Sequence, residues 1–491
     1  MTAELLLAID QGTTSTRAIA FDRDLRPVAA ASVPLDTAHP QPGWVEQDPM
    51  AIVDSVVESV ARVLEEVGGP GRIAATGLDN QGETVVAWSA DDLRPLAPAI
   101  VWQCRRSLPI VERLRAAGRE PAIRERTGLP LDPYFSAGKL TWLLEECDEV
   151  RRAAGDGTLR FGTVDAWLTA RLGGEARTDP STASRTQLFS LRDLEWDDEL
   201  AAWFGVAPDT LPRIVPTAGE LGELSHGRWG GSLALHAMAC DQQAALAGHG
   251  AFAAGSIKAT YGTGVFVLAN AGSRRTGTPD VETSIAWTLP DGSTSAVLQG
   301  GVFTAGALVD WLRDDLALIG DAAETGRLAE SVADAAGVRV LPALAGLGAP
   351  WWRPNARAVV AGLSAAATRA HVVRACLDGI AHRVADVIEA MTPSMPQPPD
   401  ALRVDGGLTA NRYLVQRQAD LLGIPVDVAE AAESTALGIA GLAGIGARLL
   451  DPASIERANP VGERLVPRLS DEERGAERIV WRRFVTLAAE L

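Results

Sequence analysis

The chain has 491 residues, of which 22% are charged and 47% are apolar, and its formal net charge at pH 7 is −18. Because this is a globular composition in a chain too long for one compact core, we expect two or more domains. The acidic balance argues against nucleic acid or an acidic membrane surface as a partner.

The amino-terminal segment predicts neither a secretory leader nor a membrane anchor. The first apolar run has no basic residues before it and stops at Asp10, and the apolar stretch over 436–447 is too short to span a bilayer. The four cysteines lie far apart without metal or redox spacing. These features together predict a cytoplasmic protein.

The first two predicted strands, over 5–9 and 18–21, enclose a polar turn. The turn contains Gly12, four consecutive hydroxyl side chains and Arg17. Such a turn offers N–H and O–H donors to phosphate oxygens, and arginine adds charge. Asp10 follows the buried strand and is well placed to hold a hydrated Mg²⁺ ion. An ordinary polar hairpin is the alternative.

Three further segments place polar residues at strand ends, as is typical of small-molecule sites in α/β folds. The first follows a predicted helix over 50–67 and a strand over 72–78, and reads Asn-Gln-Gly-Glu-Thr over 80–84. The second is a Trp-Gln strand end around Trp102. The third is Asp241, which begins a helix after an apolar stretch. Plain turns, core packing and a helix N-cap are the respective alternatives.

The second half of the chain repeats the opening pattern faintly. Residues 258–268 predict a strand, a Gly-Thr-Gly turn and another strand, which suggests that each domain begins with the same unit. Residues 404–411 predict a strand, a glycine pair and a helix start, where a nucleotide can approach the backbone. An ordinary strand-to-helix turn remains the alternative there.

These segments, in this order, resemble the motifs of the FGGY carbohydrate kinases, and most closely the glycerol kinase branch of that family. DQGTTSTRAIAFD (10–22) is similar to the first phosphate motif, NQGET (80–84) to NQRET, and GLGAPWWRP (346–354) to GLGAPYWDP. The resemblance extends from residue 5 to about residue 450. It implies an α/β protein of two actin-like (RNase H-like) domains, 1–248 and 249–491, with the active site in an interdomain cleft.

The resemblance also implies functional roles for individual residues. Asp241 is the implied catalytic base and, with Asp10, positions the metal. The implied substrate-binding residues, most of them in the first domain, are Gly82, Glu83, Trp102, Tyr134, Asp241, Gln242 and Phe266. The implied nucleotide-binding residues, divided between the first phosphate turn and the second domain, are Thr13, Thr14, Ser15, Arg17, Thr263, Gly306, Asp310, Gly407 and Asn411.

Several positions depart from the pattern of that branch. Gly82 stands where the branch has an arginine, Arg353 where it has an aspartate, and Asp310 where it has a glutamine. The missing arginine predicts a weaker hold on glycerol and room for a four-carbon polyol, unless a neighbour such as Asp79 or Arg105 compensates. The matching segment over 182–186 is interpreted as interdomain or turn structure.

The implied activity is phosphoryl transfer from ATP, with Mg²⁺, to a primary hydroxyl of a small polyol, either glycerol or a four-carbon polyol. One alternative is a ketose or pentulose kinase of the same family. Another is a non-catalytic nucleotide-binding member of the actin-like superfamily. No P-loop or Rossmann signature is present in the sequence. The expected partners are the polyol and ATP, without nucleic acid or membrane, and a homo-oligomer is compatible with the sequence.

Overall fold

The computed structural model of the chain describes residues 3–275, 279–431 and 433–490. The strands of these residues are, in chain order, β1 (Leu5–Gln11), β2 (Ser15–Phe21), β3 (Pro27–Pro34), β4 (Glu46–Gln47), β5 (Ile73–Asn80), β6 (Val85–Ser89), β7 (Ala99–Ile100), β8 (Leu159–Thr163), β9 (Arg177–Thr178), β10 (Phe189–Ser190), β11 (Glu195–Trp196), β12 (Arg213–Ile214), β13 (Ala218–His226), β14 (Gly231–Cys240), β15 (Ile257–Tyr261), β16 (Val265–Gly272), β17 (Glu282–Thr288), β18 (Thr294–Val302), β19 (Arg339–Leu341), β20 (Val359–Ala361), β21 (Leu402–Asp405), β22 (Val426–Ala429) and β23 (Val461–Leu465).

The helices of the same residues are α1 (Pro49–Val67), α2 (Leu108–Ala116), α3 (Glu120–Thr127), α4 (Ser136–Glu146), α5 (Asp148–Gly155), α6 (Val164–Gly173), α7 (Pro180–Ala183), α8 (Asp198–Phe204), α9 (Asp241–Gly248), α10 (Gly306–Asp314), α11 (Glu324–Glu330), α12 (Arg369–Met391), α13 (Arg412–Leu422), α14 (Ser434–Gly446), α15 (Pro452–Ala458) and α16 (Asp471–Ala488). Among these helices, none is both long and apolar enough to cross a membrane.

The chain forms two compact units, each assembled from three segments. The first unit consists of Met1–Phe252, Gly272–Val297 and Glu433–Asn459. The second consists of Ala253–Ala271, Leu298–Ala432 and Pro460–Leu491. Two late segments therefore pack with the amino-terminal half of the chain. The domain boundary that the sequence predicts between residues 248 and 249 stays a prediction.

The first unit is built on a six-stranded sheet of order β13-β14-β5-β1-β2-β3. β1 pairs antiparallel with β2 and parallel with β5, and β5 pairs parallel with β14. The carboxyl ends of β1, β5 and β14 therefore meet at one edge of the sheet. Both strands of the predicted first hairpin are confirmed, each somewhat longer than its apolar run.

Helix α1 covers one face of this sheet, and its sequence explains both of its ends. Asp48 caps the helix by accepting a hydrogen bond from the backbone N–H of Met50, and Pro49 suits the first turn. Gly68 ends the helix with φ of 89°, a left-handed conformation that glycine adopts without strain. Buried apolar residues recur at the helical period, which confirms the predicted helix over 50–67.

The glycine-rich helix α14 lies unusually close to its neighbours in the first unit. A Cβ atom on Gly438 would lie 1.9 Å from the carbonyl oxygen of Ala244 in α9. A Cβ atom on Gly77 of β5 would lie 2.4 Å from the carbonyl oxygen of Ile439. These glycines let α14 pack directly on β5 and α9, and so support the edge of the sheet where α9 begins.

The second unit repeats the strand arrangement of the first. Its strands lie side by side in the order β16-β15-β21-β22-β23. β15 pairs antiparallel with β16 and parallel with β21, β21 pairs parallel with β22, and β22 pairs antiparallel with β23. This is the pattern of β2-β1-β5-β14-β13 in the first unit. The repeat confirms the predicted α/β class with two actin-like domains.

Candidate active site

Three aspartates lie at the edge where β1, β5 and β14 end. Asp10 of β1 is directly opposite Asp79 of β5 in the strand register. Asp79 is in turn opposite Ala239 of β14, and Asp241 begins α9 two residues later. Because neighbouring parallel strands deliver these residues to one edge, the three carboxyl groups face one another.

The pKa of each of the three carboxyl groups is raised, mainly by burial. Burial raises the pKa of Asp10, and burial together with the charges of Asp10 and Asp241 raises the pKa of Asp79 well above its usual range. Burial, followed by the charges of Glu83 and Asp10, raises the pKa of Asp241 to about 7. Carboxyl groups perturbed in this way by burial and like charges are typical of catalytic and cation-binding sites.

The ionised form of Asp79 is strongly disfavoured in this arrangement. Its side chain is 0% exposed. As an ionised carboxylate it accepts no hydrogen bond from the described residues, and the neighbouring carboxyl group of Asp10 repels it. The folded protein therefore favours the protonated form, whereas the unfolded chain releases this proton from about pH 4 upward.

We expect Asp79→Asn to stabilise the protein near neutral pH. Because the folded pKa is raised, wild-type stability falls as pH rises above about 4, by about 1.4 kcal/mol per pH unit until the folded pKa is reached. Urea unfolding at pH 5.5 and pH 8 measures this, with the exposed Asp24→Asn as control. The gain should be larger at pH 8, and an equal gain at both pH values would contradict the assignment.

The buried side chain of Arg185 holds Glu83 at the same edge of the sheet. Nε of Arg185 donates to Oε1 of Glu83 at 2.7 Å, and Nη2 donates to Oε2 of Glu282 at 2.8 Å. Nη1 donates to Oγ of Ser284 at 2.9 Å. The Arg185 side chain is 1% exposed. Residues 184–187 form a turn, as the sequence predicted for this segment, and the structure adds that the Arg185 side chain binds Glu83, a candidate substrate ligand.

Two aromatic side chains flank this ion pair. The ring centroid of Tyr134 lies 5.7 Å from that of Trp102 in an edge-on arrangement, and the Arg185 guanidinium carbon lies 5.7 Å from the Tyr134 ring. Burial, followed by the charge of Glu83, raises the pKa of Tyr134 well above its usual range, so the phenol stays a neutral hydrogen-bond donor. Glu83, Trp102 and Tyr134 are thus brought together as predicted from the resemblance.

A buried lysine fixes the backbone around these residues. Nζ of Lys139 donates to the carbonyl oxygens of Glu83 at 3.2 Å and Phe135 at 3.1 Å, and also to that of Tyr134. Burial lowers the pKa of this amine to about 8. Lys139 therefore joins the strand end that carries Glu83 to the loop that carries Tyr134.

Gly82, between Gln81 and Glu83, has no room for a side chain. A Cβ atom there would lie 2.7 Å from Sγ of Cys240 and 3.9 Å from Cγ of Arg185. Of the two neighbours proposed to compensate for the missing arginine, Arg105 is exposed, and the cationic group bonded to Glu83 belongs to Arg185.

The first phosphate turn is closed by its own backbone. The N–H of Gly12 donates to the carbonyl oxygen of Ser15 at 3.0 Å, and Thr14 at the turn is exposed. Oγ1 of Thr13 accepts a hydrogen bond from Nε1 of Trp102 at 2.9 Å, so this turn contacts the candidate acceptor site. Arg17 is ion-paired with Glu433, so its charge is partly neutralised before any phosphate binds.

In the second unit, the Gly-Thr-Gly turn lies against the start of α10. The carbonyl oxygen of Gly262 accepts a hydrogen bond from the N–H of Gly306 at 3.0 Å, and that of Thr263 accepts from Ala305 at 3.0 Å. A Cβ atom on Gly306 would lie 2.7 Å from the Gly262 oxygen, so this contact requires glycine. Thr263 and Gly306 are therefore neighbours. Asp310, further along α10, is exposed and pairs with Arg313.

The two glycines of the predicted glycine-pair loop, Gly406 and Gly407, lie in different surroundings. Gly406 has a φ of 93°, and a Cβ atom there would lie 2.4 Å from the carbonyl oxygen of Tyr261. Gly407 has open space around it and is exposed. Asn411 caps α13, because its Oδ1 accepts from the Leu414 N–H at 3.1 Å and its Nδ2 donates to Oγ1 of Thr325 at 2.9 Å.

Two predicted substrate residues remain to be placed. Gln242 follows Asp241 in α9, and its backbone N–H donates to Oδ1 of Asp241 at 2.6 Å. Phe266 lies half-buried on β16 of the second unit, whereas the other predicted substrate residues belong to the first. The first unit thus gathers Gly82, Glu83, Trp102, Tyr134, Asp241 and Gln242.

A hydroxyl-rich turn, an acidic strand edge and a cluster of polar and aromatic side chains within a repeated α/β architecture are typical of a phosphotransferase that acts on a small hydroxylated molecule. Residues 5–248 match the N-terminal domain of the FGGY family of carbohydrate kinases, and residues 257–447 match its C-terminal domain. The chain belongs to the FGGY family of carbohydrate kinases. It is therefore a carbohydrate kinase, and kinases of this family use ATP.

Similar proteins include glycerol kinases and a xyloylose kinase. The chain is 46% identical over 488 residues to a glycerol kinase of Citrifermentans bemidjiense, with 99% of each chain covered. Among solved structures, it resembles glycerol kinase of Plasmodium falciparum with ADP, at 30% identity and a TM-score of 0.93, covering 99% of this chain and 98% of the other. It also resembles a xyloylose kinase from Brucella ovis, at 25% identity and a TM-score of 0.87, covering 98% of each.

Proposed function

We propose that this protein transfers the terminal phosphoryl group of ATP, with Mg²⁺, to a primary hydroxyl group of a small neutral polyol, glycerol or a four-carbon polyol. The observation that carries the proposal is the position of Asp241. It lies at the strand edge with a pKa of about 7, close enough to Glu83 for that charge to perturb it. The 46% identity to a glycerol kinase over nearly the whole chain supports the choice of acceptor.

Asp241 is the proposed general base. A carboxyl group with a pKa of about 7 is partly ionised at neutral pH and is basic enough to accept the proton of an attacking hydroxyl group. Oδ1 of Asp241 already accepts from the N–H of Gln242 at 2.6 Å and lies 3.5 Å from Sγ of Cys240. Its Oδ2 is the oxygen left for the acceptor.

The remaining acceptor contacts follow from the polar atoms of the pocket. Glu83 offers carboxylate oxygens as hydrogen-bond acceptors, and Tyr134 is a neutral phenol that donates. Trp102 presents an aromatic surface beside them for the carbon face of a polyol. Together with Asp241, these residues recognise hydroxyl groups at both ends of a short carbon chain.

The same residues argue against acidic acceptors. Asp10, Asp79, Glu83 and Asp241 crowd one edge, and the guanidinium group of Arg185 is shared between Glu83 and Glu282. A carboxylate on the acceptor would add a further negative charge to this group, and like charges at short range are unfavourable. We therefore propose an uncharged polyol rather than a sugar acid.

The acidic edge also fits Mg²⁺. No three or more His, Cys, Asp or Glu side chains of residues 3–275, 279–431 and 433–490 are grouped so that they hold a metal ion directly. Mg²⁺ is nevertheless usually held by one or two carboxylates with water and phosphate. Asp10 and Asp241 are the proposed ligands, and the bound ion would neutralise charge on the transferred phosphoryl group.

The proposed phosphate ligands are the two glycine-containing turns. Thr13, Thr14, Ser15 and Arg17 offer hydroxyl groups, N–H groups and charge in the first unit, and Thr263 offers a hydroxyl group in the second. Gly306, Asp310, Gly407 and Asn411 are the proposed nucleotide contacts of the second unit. Because phosphoryl transfer relies mainly on alignment and charge stabilisation, these groups contribute by positioning rather than by covalent chemistry.

A ketose kinase is the second candidate, because the xyloylose kinase from Brucella ovis covers the same length with 25% identity. A nucleotide-binding protein without catalysis is disfavoured by the ordered acceptor residues, which such a protein does not need. The four cysteines are free thiols, which supports the proposed cytoplasmic location.

A coupled assay for ADP release tests the proposal. With MgATP present, we expect glycerol or erythritol to give the highest kcat/KM, at least about tenfold above xylulose and gluconate. Release without any acceptor serves as the background. A higher kcat/KM with xylulose would establish the ketose kinase instead, and release independent of every acceptor would contradict a kinase.

A further inference from the structure

Cys240 decides what residue the chain tolerates at position 82. The backbone at Gly82 does not have a positive φ, so its conformation alone does not demand glycine. The available space does demand glycine, because a Cβ atom on residue 82 would lie 2.7 Å from Sγ of Cys240, well below the normal contact distance. The sulfur atom therefore occupies the volume that any side chain at position 82 needs.

The sulfur atom has little freedom to move away. The N–H of Cys240 donates to Oγ of Ser181 at 2.9 Å, which anchors the end of β14. Sγ of Cys240 donates a hydrogen bond to Oδ1 of Asp241 at 3.5 Å. Moving the thiol would therefore disturb the proposed base.

We propose that Cys240 is a specificity-determining residue of the acceptor site, because its sulfur atom excludes side chains at position 82 and directs Oδ2 of Asp241 to the acceptor. This inference rests on the proposed function as a polyol kinase. It follows that the acceptor is bound without a cationic side chain from residue 82, and that position 82 accepts a side chain only when Cys240 is replaced by a smaller residue.

A cycle of four proteins tests the shared space: wild type, Gly82→Ala, Cys240→Ala and the double variant. Gly82→Ala adds only the Cβ atom, and Cys240→Ala removes only the sulfur atom. In the wild-type background, we expect Gly82→Ala to lower the thermal midpoint and to raise KM for the polyol by about 5- to 150-fold, as overpacking does. In the Cys240→Ala background, the same change should alter KM by less than about twofold.

A second pair of variants tests specificity. Gly82→Arg in the Cys240→Ala background places a guanidinium group beside Glu83 with room to fit. A charge-assisted hydrogen bond to an acceptor hydroxyl should change the ratio of kcat/KM for glycerol and erythritol by about tenfold or more. Gly82→Arg with Cys240 retained should instead lower the thermal midpoint and activity with every polyol. KM for ATP is the internal reference and should change by less than about twofold.

Cys376→Ala is the matched control, because it removes another buried free thiol in the second unit, on α12. Additive thermal midpoints in the cycle would overturn the inference whether or not any polyol is phosphorylated. Coupled midpoints with unchanged acceptor KM values and ratios would also overturn it, since Cys240 would then be structural only. Failure of the wild type to phosphorylate any polyol would instead contradict the proposed function, which the ADP assay detects separately.

Discussion

Replacing Asp241 by asparagine is expected to lower kcat by about 10²- to 10⁴-fold, the usual contribution of general base catalysis. The amide keeps the size of the side chain but cannot accept the hydroxyl proton. KM for ATP should change little, because the proposed phosphate and nucleotide contacts lie elsewhere and Asp10 remains as a proposed Mg²⁺ ligand. Steady-state kinetics with the best polyol and saturating MgATP measure the effect. A variant with near-normal kcat would remove Asp241 from the mechanism.

The same substitution separates a catalytic loss from a folding defect. Burial and the charges of Glu83 and Asp10 raise the pKa of Asp241 to about 7, so wild-type folding loses stability as pH rises from about 4 to that value. Asp241→Asn abolishes this loss. The ligand-free variant should therefore unfold at a higher temperature than wild type at pH 8, although it has lost activity. A lower midpoint at pH 8 would indicate a structural role.

Local pattern was sufficient for much of the fold. The period of apolar residues predicted the ends of α1 to within one residue, because the buried face of an amphipathic helix requires apolar residues at every turn. The repeated strand-turn-strand units at Asp10 and Thr263 correctly indicated two similar sheets. The packing of Gly272–Val297 and Glu433–Asn459 with the first unit was not predictable, because it depends on contacts between distant segments.

In the candidate site, too, local sequence patterns identified some residues, whereas contacts between distant segments could not be predicted. Asp10, Glu83 and Asp241 were identifiable because polar residues that follow apolar strands gather at one sheet edge. Arg185 was missed because its partner Glu83 lies 102 residues earlier, and no local spacing records such a pair. The exclusion of side chains at position 82 depends on a backbone placed to within a fraction of an ångström of Cys240.

Arg185→Met is expected to destabilise the protein by about 3–5 kcal/mol, because it leaves two buried carboxylates without their counter-charge. Nε and Nη2 of Arg185 bond Glu83 and Glu282 at 2.7 and 2.8 Å. Burial already raises the pKa of Glu282 against the opposing charge of Arg185, so removal of the guanidinium group would raise this pKa further. The loss should therefore be larger at pH 8 than at pH 5.5, where Glu282 can take up a proton. Urea unfolding at the two pH values measures it.

Arg185→Lys and Arg192→Met complete the comparison. Lysine keeps the charge but lacks the planar fork that reaches both glutamates, so part of the loss should remain. Arg192 is 91% exposed and pairs only weakly at the surface, so its removal should change stability by less than about 0.5 kcal/mol. In Arg185→Lys, KM for the polyol should rise more than KM for ATP, because Glu83 loses its alignment. Equal stability of Arg185→Met and wild type would show that Glu83 and Glu282 do not depend on this arginine.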